Sequence, residues 1–193
     1  MKKYFPALTA TLTFATILFS FSSESYAQAI IEGKGPQQVC YESALYGKQG
    51  TKYTINACTE GLDAALSRKD RAATYVNRGI LHMRNTKFER ARKDYEAAIK
   101  TYPDLPEAYM NYGAVLIQLD DYDGALKALN KAIDELPPKH LHQALFNRAI
   151  IYDSQEKYRD AYLDLKRALE LRPDWDDALK SIKRYLVAPK NSG

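Results

Sequence analysis

Residues 75–103 read YVNRGILHMRNTKFERARKDYEAAIKTYP, and the same frame returns at 109–137 as YMNYGAVLIQLDDYDGALKALNKAIDELP and at 145–173 as LFNRAIIYDSQEKYRDAYLDLKRALELRP. The offsets are 34 and then 36 residues, and they place Gly79 on Gly113 and Ala149, Ala91 on Ala125 and Ala161, and Pro103 on Pro137 and Pro173. A period in this range marks units that cannot bury their own apolar faces and must stack on neighbours to build a continuous core.

Further columns share the register: Tyr75/Tyr109/Leu145, Asn77/Asn111/Asn147, His82/Leu116/Tyr152, Tyr95/Leu129/Leu165 and Ala98/Ala132/Ala168. Each unit reads as two amphipathic helices, such as Ala73–Arg84 and Phe88–Lys100, joined by a short polar turn like Asn85-Thr86-Lys87 or Asp120-Asp121. The small columns let paired helices approach closely, and the larger ones fill the space between units. Proline ends each second helix because it lacks an N–H and disfavours helix in the residue before it.

These residues resemble the tetratricopeptide repeat family: a large apolar residue and Gly in a first helix, Ala and an aromatic or Leu in the second, and a closing Pro. Tyr75-Val76-Asn77-Arg78-Gly79 is similar to the Tyr-x-Asn-Arg-Gly form common in bacterial members. Two positions depart from the pattern: His82 is polar where a large apolar residue is usual, and Ala149 replaces Gly. The resemblance implies an all-α, right-handed solenoid of stacked helix-turn-helix repeats, with units at 71–105, 106–140 and 141–174 and a C-terminal capping helix and tail at 175–193.

Ahead of the repeats, Met1-Lys2-Lys3 precedes a stretch without charge until Glu24, with an apolar run Ala7–Phe21 diluted by Thr. This predicts an export signal, residues 1–27, cut after Ser25-Tyr26-Ala27, and a linker at 28–35. The run is short for a bilayer span of ~20 apolar residues, and no Cys follows the cut to carry a lipid. A soluble mature chain without a membrane anchor is expected, and a Lys-Lys signal suits a bacterial periplasm, with secretion to the medium as the alternative. Removing residues 1–27 takes away Lys2, Lys3 and Glu24, so the net charge passes from +4 to +3. With acids and bases interleaved, that balance gives no case for nucleic acid or an anionic membrane.

Residues 36–70 read as a degenerate helical pair, Gln37–Tyr46 and Tyr53–Leu66, turning through Gly47-Lys48-Gln49-Gly50 and carrying both cysteines. Cys40 lies nine residues before Gln49 and Cys58 nine after it, so an antiparallel hairpin sets them at one height. Export favours a disulfide, worth ~3 kcal/mol under the chain-entropy model; two buried free thiols are the other outcome. No Cys-x-x-Cys spacing supports a reactive pair.

At the other end, Trp175–Val187 reads as one more amphipathic helix with Leu179, Ile182 and Leu186 inward, and Lys183 stands where the repeats carry Gly or Ala. Such a residue obstructs another helix and suits a solvated cap. The acids Asp174, Asp176 and Asp177 are explained by the helix N-terminus. His140-Leu141-His142 lacks a third ligand at a diagnostic spacing, and Asp121-Tyr122-Asp123-Gly124 lacks a calcium loop's ligand ladder. No nucleophile elbow, phosphate cradle or metalloprotease helix is present, so no catalytic residue, metal or cofactor is expected.

Function then rests on the surface that stacking makes. The resemblance implies that the first helices line a concave groove, with Asn77, Asn111 and Asn147 as a ladder offering donors and acceptors to a peptide backbone. The same Asn side chains would also suit satisfying the repeat's own backbone. Beside the ladder lie Val76, Ile80 and Met83, then Met110, Ala114 and Ile117, then Phe146 and Ile150. Either these residues line an open groove for an amphipathic or extended apolar segment, or they pack between first helices or under Ala29-Ile30-Ile31. Arg84 is the one basic residue near the groove, which disfavours gripping a charged chain terminus, and Arg78 and Arg148 are expected to reach solvent or pair with acids. The sequence therefore points to a non-catalytic adaptor for a protein or peptide partner, with a chaperone-like holdase as the alternative.

Overall fold

The computed structural model describes residues 35–47 and 50–185. The expected export signal, most of the expected linker, Ala29-Ile30-Ile31, the midpoint of the first turn, and Leu186 and Val187 with the tail after them lie outside these residues. Among the described residues nine α-helices follow one another: α1 (Pro36–Tyr46), α2 (Lys52–Leu62), α3 (Arg68–Arg84), α4 (Phe88–Thr101), α5 (Pro106–Gln118), α6 (Tyr122–Glu135), α7 (Pro138–Ser154), α8 (Tyr158–Leu171) and α9 (Asp176–Ile182), the last running into a 3₁₀ turn, Lys183–Tyr185. Four antiparallel hairpins, α1–α2, α3–α4, α5–α6 and α7–α8, stack in chain order as a right-handed solenoid, and the first helices α3, α5 and α7 pack successively on one another.

The small-residue columns set the spacing within each hairpin. A Cβ on Gly79 would stand 2.4 Å from Tyr95 Cε1, and one on Gly113 would stand 2.6 Å from Leu129 Cγ. Each glycine of a first helix thus accommodates the large residue that its second helix aims at it. Where Ala149 replaces Gly, the facing residue is Leu165, and both are buried. Ala91, Ala125, Ala161, Ala98, Ala132 and Ala168 are fully buried on the second helices.

Helix ends follow local chemistry. Helices α4, α6 and α8 stop two residues before Pro103, Pro137 and Pro173, with Tyr102, Leu136 and Arg172 extended ahead of the ring. Within each repeat the first helix closes through a left-handed residue, Thr86 (φ 55°), Asp120 (φ 59°) or Glu156 (φ 59°). The next amide then reaches back to the helix, as Lys87 N–H donates to His82 O at 2.9 Å and Asp121 N–H to Leu116 O at 2.9 Å. Asp121 caps α6, its carboxylate accepting from Gly124 N–H at 2.9 Å.

Three boundaries differ from the sequence expectation. Helix α2 stops at Leu62 instead of Leu66, because the Arg71 guanidinium takes the Leu62 and Ala64 carbonyls at 2.5 and 3.2 Å. Helix α3 begins at Arg68, ahead of Ala73, since Ser67 accepts from Asp70 N–H and supplies a cap there. Helix α9 is only seven residues long, and Ala178 is its buried residue while Leu179 is exposed. Tyr185 and Arg184 fold back onto Asp153 of α7, so the solenoid end is covered by a turn and a short helix.

Cys40 and Cys58 form a disulfide, with Cα atoms 4.7 Å apart. Both are fully buried and share a cluster with Leu81 of α3, which docks the degenerate pair onto the first full repeat.

Candidate functional site

The groove side of the first helices splits the expected residues into two groups. Val76 and Met110 are buried and belong to the clusters that join successive units, so they serve packing. Ile80, Met83 and Ile117 are half-buried against those clusters, Ala114 is half-buried, and Ile150 is 40% exposed. Phe146 is half-buried with its ring 4.7 Å from Trp175, which closes the far end of the row. The surface left to a ligand is therefore a narrower apolar strip than the sequence pattern suggests.

The Asn ladder is also divided. All three side chains are half-buried. Asn111 Nδ2 donates to Glu107 O at 2.8 Å, satisfying its own helix. Among the described residues Asn77 and Asn147 make no side-chain hydrogen bond, so each keeps donors and an acceptor for something outside the chain.

Arg84, the one basic residue expected near the groove, is committed elsewhere. Its guanidinium donates to Ser43 O at 3.0 Å and Ala44 O at 2.7 Å, the last-turn carbonyls of α1. Helix ends leave such carbonyls without partners, and a cation there also meets the negative end of the helix dipole. Asn85 completes this join, exchanging bonds with the Gly50 N–H and C=O.

Of the two outcomes expected for Arg78 and Arg148, solvent or pairing with acids, the structure shows pairing, with Asp94 and Asp164, partners that the sequence reading did not name. Arg78 Nη2 donates to Asp94 Oδ1 at 2.7 Å, while its Nη1 reaches Thr59 on α2 at 3.0 Å. Arg148 repeats the arrangement, binding both oxygens of Asp164 at 2.7 and 2.8 Å and Asn130 on α6 at 2.8 Å. Each guanidinium thus ties its own hairpin to the preceding unit, and the Asp164 bonds hold Arg148 above its ordinary pKa. The available signal was an Arg and an Asp sixteen residues apart in two units; Tyr112 and Ala128 break the column in the middle one.

Two histidines are buried without full partnership. His82 lies 3.8 Å from Asp94 through Nε2, and its Nδ1 has no partner. Burial lowers its pKa despite the upward pull of Asp94. His142 stands edge-on to Trp175, ring centres 5.0 Å apart, and burial lowers its pKa too. Among the described residues no three His, Cys, Asp or Glu side chains gather as a metal site, and no helix is long and apolar enough to cross a membrane.

The stacked hairpins, alternating small and large columns and capped end define a helix-pair repeat protein. Tetratricopeptide repeat models match residues 76–140 and 142–174, together just over half of the sequence. The chain belongs to the tetratricopeptide repeat family. It is 36% identical over 105 residues to sperm-associated antigen 1 of Rattus norvegicus, a match covering 51% of this chain and 12% of that protein. The chain therefore spans only a small part of the curated relatives it matches. Among solved structures it is similar to the first repeat domain of Spaghetti (RPAP3) bound to the HSP90 peptide SRMEEVD, with a TM-score of 0.56, 20% identity and coverage of 60% and 90% of the two chains. It is also similar to MamA, with a TM-score of 0.59, 18% identity and coverage of 80% and 78%.

Proposed function

We propose that the chain is an exported, non-catalytic adaptor that holds a protein partner in its inner groove through an amphipathic helix or an extended apolar segment. The observation that carries this is the uncommitted hydrogen-bonding capacity of Asn77 and Asn147 on a face otherwise made of Ile80, Met83, Ala114, Ile117 and Ile150. Polar groups half-buried in an apolar surface are favourable when a ligand supplies their partners. A peptide backbone does so at regular spacing, with apolar side chains filling the strip between. The solved relative bound to an HSP90 peptide supports peptide binding by this architecture. Its ligand is acidic, whereas Arg84 here is spent on α1, so an acidic chain terminus is the less compatible partner.

The proposal is tested by capture from the source cell envelope with wild-type protein and an Asn77/Asn111/Asn147→Ala variant as baits, after circular dichroism confirms equal helicity. A stable, stoichiometric partner lost by the variant supports the adaptor. Partners retained equally by both baits contradict it. Suppression of client aggregation without a fixed partner would instead identify a holdase.

A further inference from the structure

The middle repeat differs from the other two at the position of the Arg–Asp pair. Repeats one and three fill the space between hairpins with Arg78–Asp94 and Arg148–Asp164. The middle repeat has Tyr112 and Ala128 there, and an apolar cavity of about 490 Å³ lies beside them between α4 and α6, floored by α5. Its walls are Ile99, Tyr109, Tyr112, Leu116 and Ala128, and its mouth carries Lys100, Lys127 and Lys131 with Glu96 and Asp121.

The charges at the mouth are unequally committed. Glu96 faces Arg92 at 3.7 Å and accepts the Tyr112 phenol at 3.2 Å. Asp121 is occupied as the cap of α6. Lys131 lies 4.5 Å over the Tyr109 ring. Lys100 and Lys127 are exposed and have no ion-pair partner among the described residues. An open apolar hollow with two unpaired ammonium groups at its rim is complementary to an anion with an apolar body. Its volume falls in the ~300–1,000 Å³ range of small-ligand sites. A peptide backbone would find little there, because every lining residue except Asp121 lies in a helix, and the Gly124 N–H is taken by Asp121.

We propose that this outer cavity binds a small monocarboxylate with an aromatic or aliphatic body, the body among Ile99, Tyr109, Tyr112 and Leu116 and the carboxylate at Lys100 and Lys127. The site is on the opposite side of α5 from the inner groove and does not depend on what the groove binds.

The probe is 3-phenylpropionate, titrated into the ¹⁵N-labelled chain and followed by amide shifts. Saturable shifts at Ile99, Tyr112 and Ala128 are expected, with the neutral 3-phenylpropanamide bound at least about tenfold more weakly. A Lys100→Gln/Lys127→Gln variant should lose about tenfold in affinity, the scale of two partly exposed charge contacts. An Ala128→Trp variant puts a bulky ring into the apolar wall and should show no saturable shifts. If that variant does not fold, the lysine variant decides. No saturation by about 10 mM, equal binding of the amide, or unchanged affinity in the lysine variant overturns the assignment. Tighter binding of acetyl-Gly-Gly-Phe at the same amides also overturns it, in favour of a chain terminus.

Discussion

Asp94→Ala tests whether the Arg–Asp pair holds the first repeat to its neighbour. The Asp94 side chain is 8% exposed and accepts from Arg78 Nε at 3.2 and 3.1 Å and from Nη2 at 2.7 Å. Losing one partner of a buried pair costs ~3–5 kcal/mol, chiefly because the remaining charge is stranded. Arg78 is 20% exposed and keeps Thr59, so part of its guanidinium recovers water and the expected cost is about 2–3 kcal/mol. With a urea slope of ~1–3 kcal/mol/M, the midpoint should fall by about 0.7–3 M. The double variant Arg78→Tyr/Asp94→Ala removes the stranded charge and copies Tyr112 and Ala128, so it should lie within about 1 kcal/mol of wild type. The assay is urea unfolding followed by far-ultraviolet circular dichroism with the disulfide intact. A single-variant shift below about 0.3 M, or a double variant as unstable as the single one, would refute the reasoning.

Three further outcomes follow from the same structure. Cys40→Ala/Cys58→Ala closes no loop across the 18-residue separation and should lose about 3 kcal/mol, with faster amide exchange over Pro36–Leu62 and little change over Pro138–Leu171; uniform exchange throughout would contradict it. His82 has a folded pKa below the unfolded value of about 6.5, so the unfolded chain takes the proton more readily; stability is whole above that pH and declines as pH drops beneath it. His82→Leu, the residue of the second repeat in that column, should flatten the fall in urea midpoint between about pH 7.5 and 5, leaving the share due to His142; an unchanged slope would exclude His82 as a source. Thr86→Asn places a residue that tolerates φ 55° at the α3–α4 turn and should raise the thermal midpoint through about 0.5–1 kcal/mol, despite losing the exposed Thr86 Oγ1 bond to Asn85 O; a lower midpoint would show that this bond outweighs the strain.

The fold was legible because each repeat restates it: a Gly or Ala facing a Tyr or Leu, an Ala column and a Pro two residues past a helix end are local constraints seen three times. The groove was less so. Val76 and Met110 share their sequence position with Asn77 and Asn111 to within one residue, yet the stacking of the next unit buries them, and nothing within one repeat reveals how closely its neighbour approaches. Arg84 could not be assigned from its own repeat, since its partners are carbonyls of α1, about forty residues away. The Arg–Asp pairs were hidden by the middle repeat, where Tyr112 reaches Glu96 and performs the inter-unit contact without an ion pair. Leu179 was expected inward because a full cap helix was expected, and the early 3₁₀ turn at Lys183–Tyr185 replaces the second half of that helix.

The central claim concerns the inner face and its ligand. A photo-crosslinking residue at Ile150, exposed beside Asn147, is compared with one at Lys166, exposed on α8, in cells of the source organism. Capture of one defined partner from Ile150, absent from Lys166 and lost when Asn77, Asn111 and Asn147 are Ala, is the predicted result. The same partner captured from both positions, or its persistence without the three asparagines, would contradict binding in the groove.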